Sequence, residues 1–179
     1  MEPEAEPPAR PPLPPVRPQL IEETLWFVRA ACQLAGVTRI SLVGSLTTDK
    51  PFPKDTDLLV TVTHDADLTR LATLGRKLAG HLQAHASGAD VFLADPAGRY
   101  LGRTCPWRDC GPGIRQSCDA RNCGLRHYLH DDLDAVRLEP ALIARPPIVL
   151  WPQVEAHVAA PADVAEGLLR PLREPHASR

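Results

Sequence analysis

A small mixed sheet flanked by helices, an α/β (α+β) arrangement, is the fold class this sequence predicts. Three observations lead there. Helical and strand periodicities follow one another in the order helix, strand, strand, helix, strand; the connections between them are short; and 179 residues suffice for a hydrophobic core without obligatory staples.

The elements are justified in chain order. Residues 2–19 hold eight prolines and almost no periodicity, so residues 1–18 are expected to form a Pro-rich disordered tail. From Pro18, Ile21, Leu25, Val28, Cys32 and Ala35 recur at helical spacing, Trp26 and Phe27 widen the apolar face, and Gly36 stands where a helix stops. Cys32 on that face reads as a core residue. Arg39-Ile40-Ser41-Leu42-Val43 alternates like a strand and runs into Gly44-Ser45. A Pro-punctuated loop, Thr47 to Lys54, leads to Asp55-Thr56-Asp57 and the apolar run 58–62, a second strand rich in β-branched residues. Asp65 and Asp67 read as helix caps, and Leu68, Leu71, Leu74, Leu78 and Leu82 share the face of the helix that follows. Ser87-Gly88 breaks it, and Ala89–Leu93 is a third strand. A helix from about Leu125 to Leu138, an edge strand at Ile148–Trp151 and a short C-terminal helix complete the prediction.

Composition excludes more than it assigns. Net charge is -2, so no global field advertises a nucleic-acid partner. The 17 Arg against 3 Lys read as coding bias of a GC-rich genome. No apolar run approaches the roughly 20 residues needed to span a bilayer, and the acidic, Pro-rich start does not resemble a secretory signal, so a cytoplasmic setting with reduced thiols is expected.

Two constellations carry chemistry. In a strand, residues i and i+2 point to one side, so Asp55 and Asp57 present two carboxylates about 7 Å apart at their bases. Such a pair repels itself unless a cation sits between, and hard oxygen donors suit Mg²⁺ or Mn²⁺. Gly44-Ser45 allows close backbone approach to a phosphate, with exposed N–H groups and a hydroxyl to hold its oxygens. Asp-x-Asp before a strand also arises as two polar turn residues.

The order is an apolar residue, Gly44-Ser45, nine intervening residues, then Asp55-Thr56-Asp57 and an apolar strand. It resembles the signature of the DNA polymerase beta-like nucleotidyltransferase superfamily, over roughly residues 20–95. The resemblance implies that Gly44 and Ser45 contact the triphosphate of a nucleotide and that Asp55 and Asp57 bind divalent metal. Asp90, at the start of the third strand, matches the carboxylate that completes the site and helps deprotonate an acceptor hydroxyl; Asp95, before Pro96, fits less well. Where small members of the superfamily carry an Arg and a Gly shortly after the Gly-Ser, this chain has Leu46-Thr47-Thr48. That departure keeps an alternative open, an inactive scaffold that binds nucleic acid or protein.

The second constellation is Cys105-x4-Cys110-x7-Cys118-x4-Cys123, in a Gly/Pro-rich stretch. Four thiols there suit one structural, tetrahedral Zn²⁺, and between Arg99 and Arg126 six Arg face only two Asp, an excess that a thiolate-bound zinc would partly balance. Arg103, Arg108, Arg115 and Arg121 could grip nucleic acid or simply solvate an irregular surface. His127 could replace a thiolate, or share a helical face with His130 in a metal-dependent phosphohydrolase. The domain plan is thus a tail (1–18), a nucleotidyltransferase-like core (19–98), a Cys-rich zinc loop (99–126) and a C-terminal helix, edge strand and tail (127–179).

Overall fold

A computed structural model describes residues 16–110, 126–131 and 136–174. The mixed α+β prediction holds, with one seven-stranded sheet at its centre. Its strands are β1 (Val37–Val43), β2 (Asp55–Val62), β3 (Gly88–Ala94), β4 (Tyr100–Thr104), β5 (Leu129–His130), β6 (Ile148–Trp151) and β7 (Glu155–Ala156). They lie in the order β5-β4-β3-β2-β1-β6-β7. The β2–β3 pair is parallel, joined through helix α2 (Leu68–Gln83), and the others are antiparallel.

Helix α1 (Arg17–Ala31) starts at Arg17 with Pro18 in its first turn, where the missing N–H costs nothing. It ends four residues before Ala35; of the predicted stripe Ile21 and Val28 are buried and Leu25 and Cys32 only partly so, while Leu20, Thr24, Phe27 and Ala31 complete the buried face. Cys32, expected in the core, is only partly buried against it, its thiol donating to the Arg29 carbonyl. Helix α2 keeps the predicted leucine face, and Asp67 caps it by accepting from the Thr69 N–H at 2.9 Å. Asp65 instead bonds the Thr63 side chain.

One sheet face buries Leu58, Val60, Val62, Val91 and Leu93 against α1, α2 and the C-terminal helical segment. That segment runs from α4 (Ala162–Val164) through a π turn (Ala165–Leu169) into α5 (Arg170–Arg173). A buried Thr24–Thr56 hydroxyl bond of 2.8 Å ties α1 to β2 at the residue between the two aspartates. The opposite face holds a smaller cluster, Val43, Leu59, Phe92 and Ala94, covered by Ile143 of α3 (Pro140–Ala144).

Several expectations fail after residue 96. Residues 95–98 form a tight turn, Asp95 accepting the Gly98 N–H at 3.0 Å, and β4 folds back on β3 inside the stretch read as the cysteine loop. The helix expected from Leu125 to Leu138 is absent from its described residues: Tyr128 takes φ +64, outside helical backbone, and Leu129–His130 pairs with β4. β6 is not the edge, because β7 pairs on its outer side.

A carboxylate cluster at the end of the sheet

The fold brings Asp55, Asp57 and Asp90 to one end of two neighbouring strands. In the parallel β2–β3 register, Asp57 stands beside Asp90 and Asp55 beside Gly88. On the other side of β2, Val43 of β1 pairs with Asp57, which delivers Gly44 to that carboxylate. Gly44 has φ +72, and a Cβ there would collide with the Asp57 carboxylate. A Cβ on Gly88 would stand 2.6 Å from Asp55 Oδ1. Both acids therefore lie over glycines, and at Gly44 conformation and space each demand that residue.

Beyond Gly44, Ser45–Thr47 makes a single 3-10 turn. Thr47 and Thr48 each donate a hydroxyl back to the carbonyls of Gly44 and Ser45, both at 2.7 Å. Leu46 is fully buried. Thus Leu46-Thr47-Thr48 anchors the turn: one side chain plugs the core and two tie the backbone. Arg17 secures the loop that follows, donating to the carbonyls of Thr48 (3.1 Å) and Lys50 (2.8 Å) while its Nε and Nη2 bind Asp163 at 2.6 and 3.0 Å.

Electrostatics single out the middle acid. Burial, followed by the like charges of Asp90 and Asp55, raises the Asp57 carboxyl from 3.8 to about 6. Asp90 has a partner of its own: Arg103 Nη1 donates to Asp90 Oδ1 at 3.1 Å. In the sequence Arg103 stands out only as one of the loop arginines. The signal that could have placed it is the turn at Asp95-Pro96-Ala97-Gly98, which returns the chain along β3.

No protein family, characterised protein or solved structure matches this chain. The site is therefore read from its own chemistry. Three carboxylates on adjacent strands are donors of the type that suits a hard divalent cation, and at Asp57 burial and two acidic neighbours together disfavour the unpaired charge. In the present side-chain positions, however, no group of three or more His, Cys, Asp or Glu among the described residues converges to hold a metal ion.

The remaining candidates divide. Cys105 is buried at the end of β4, and its N–H donates to the Tyr128 carbonyl at 2.7 Å. Cys110 accepts the Tyr128 N–H on Sγ at 3.2 Å, so one residue's backbone bridges the two cysteines. No disulfide joins the described cysteines. Cys118 and Cys123, with Arg115 and Arg121, lie outside the described residues. His127 is exposed in a turn and His130 buried in β5, so the two share no helical face. Asp95 lies at the far end of β3 and pairs with Arg99 at 2.7 Å.

Proposed function

We propose that this chain is a divalent-metal-dependent nucleotidyltransferase that moves a nucleoside monophosphate from a nucleoside triphosphate to an acceptor hydroxyl. The observation that carries the reading is the in-register Asp57–Asp90 pair, with Asp55 two residues away and Gly44 pressed against the Asp57 carboxylate. The antiparallel β1–β2 pair followed by the parallel β2–β3 pair supports a nucleotidyltransferase-like core, since it sets the glycine turn and the three acids at one end.

In this reading Asp55 and Asp57 hold Mg²⁺ or Mn²⁺, with Asp90 as the third carboxylate. Bound there, the ion supplies charge neutralisation for the phosphate oxygens. Gly44 and Ser45 hold phosphate oxygens through backbone N–H groups and a hydroxyl. The acceptor oxygen forms a bond to the α-phosphorus, its proton passes to Asp90, and the bond to the bridging oxygen of pyrophosphate breaks. Cys105, Cys110, Cys118 and Cys123 bind a structural Zn²⁺; the Tyr128 backbone, bonded to both Cys105 N–H and Cys110 Sγ, supports the closeness of two of the four.

Calorimetric titration of the zinc-loaded protein with each nucleoside triphosphate, with and without Mg²⁺, tests the proposal. Mg²⁺-dependent binding that disappears in Asp55→Ala/Asp57→Ala is expected, and equal binding by that double variant would sink the metal assignment. A second reading, an inactive scaffold binding nucleic acid or protein, is favoured by the Arg103–Asp90 ion pair and the missing three-ligand convergence among the described residues. It predicts salt-dependent RNA or DNA binding without nucleotide affinity.

A further inference from the structure

We infer that the cleft between α2 and the open side of β3 is the acceptor site, and that it takes a small alcohol carrying an anionic group. The inference rests on the nucleotidyltransferase reading of the carboxylates.

Across the end of the sheet the groups follow strand order: Gly44 after β1, Asp57 on β2, Asp90 on β3, Arg103 on β4. The phosphate-holding turn lies on the β1 side of the acids, so an incoming hydroxyl must approach from the β4 side. β4 pairs with β3 only from Phe92 onward, which leaves the Asp90 end of β3 without a strand partner on that side among the described residues. A cavity of about 290 Å³ opens there, with Asp90 and Arg103 in its wall. That volume sits near the lower end of small-molecule sites.

The helix wall sets three small residues, Gly75, Ala79 and Gly80, beside the longer Arg76 and Gln83. At Gly75 the reason is packing, because a Cβ would stand 2.9 Å from Thr104 Oγ1. At Gly80 a Cβ would meet nothing within 4 Å, so packing gives no reason for a glycine that costs an α-helix about 1 kcal/mol relative to alanine. Its effect is open volume in the cleft. The outer wall, Cys105 and Pro106, is fixed by Arg76, whose Nη1 donates to the carbonyl of Trp107 at 3.0 Å and whose guanidinium lies 5.5 Å over the Tyr128 ring.

Charge then selects the ligand. Arg76 and Arg103 are the cations of the lining and Asp90 its acid, so the wall is net positive. Arg76 bonds backbone carbonyls and Thr73, and Arg103 bonds Asp90, the carboxylate that would receive the hydroxyl proton, at 3.1 Å. An anionic group held by Arg103 would bring a neighbouring hydroxyl to Asp90.

The test uses the full chain with Mg²⁺ and each nucleoside triphosphate, measuring pyrophosphate release with glycerol 3-phosphate or with glycerol as acceptor. Nucleotide affinity is measured separately by calorimetry. Glycerol 3-phosphate should outperform glycerol by about tenfold, the worth of one charge-assisted hydrogen bond. Arg103→Gln should remove that preference. Gly80→Leu, which fills the cleft from an open helix position, should abolish acceptor-dependent release while nucleotide affinity stays within about twofold; Ala79→Leu should do the same if the first variant does not fold. Equal use of the two alcohols, or unimpaired release by the filled variants, overturns the cleft assignment. Absence of Mg²⁺-dependent nucleotide binding in the unmodified protein overturns the nucleotidyltransferase reading instead.

Discussion

Replacing Asp57 by asparagine should stabilise the metal-free protein at neutral pH, although it removes a residue proposed to bind the metal. A carboxyl raised from 3.8 to about 6 in the folded state binds its proton more tightly folded than unfolded. Stability from this group is therefore complete below 3.8 and is lost as pH rises through about 6. At about 1.4 kcal/mol per pH unit the full effect is about 3 kcal/mol. Because the side chain is only partly buried, solvent screening reduces that to about 1–2 kcal/mol. The assay is urea unfolding in EDTA from pH 4 to 7.5, reading the difference between Asp57→Asn and the unmodified chain. The variant should match the unmodified protein near pH 4 and exceed it by about 1–2 kcal/mol at pH 7.5. Added Mg²⁺ should then stabilise only the unmodified protein, by mass action. A difference independent of pH, or a variant less stable at pH 7.5, would refute the account of a buried carboxyl flanked by like charges.

Three further outcomes follow from the packing. Gly44→Ala should destabilise by about 2–3 kcal/mol in chemical unfolding, from positive φ together with collision against Asp57; a loss under about 0.5 would mean that the turn relaxes freely. Thr24→Val should cost about 1–3 kcal/mol by stranding the Thr56 hydroxyl, while Thr24→Val/Thr56→Val should recover most of it; additive losses would show that the pair is not the interaction that matters. Elemental analysis of the purified protein should find one zinc per chain, lost together with thermal stability in Cys105→Ser; zinc retained at full stoichiometry in that variant would remove Cys105 from the ligand set.

The local elements around the site were legible because their signals are local. Apolar periodicity gives α2 its leucine face, β-branched runs give β2 and β3, and Gly44-Ser45 with Asp55 and Asp57 occupies one short stretch of chain. The second half was less legible. Tyr100–Thr104 carries Gly102 and Arg103 in place of apolar alternation, and Leu125, Leu129 and Leu133 imitate a helical stripe. Pairing overrode that preference at Leu129: the β5 backbone lies so close to β4 that a Cβ on Gly102 would stand 2.5 Å from the His130 carbonyl oxygen.

By itself, the sequence determined which residues could do chemistry and which short elements carry them, since spacing along the chain decides which side chains share a face. Only the tertiary structure decided what those residues meet. The parallel register set Asp57 against Asp90, the return of β4 gave Asp90 its arginine, and the packing of α2 left a cleft beside them. Each of these depends on contacts between residues distant in sequence, where burial and hydrogen bonding across strands outweigh the local preferences of the chain.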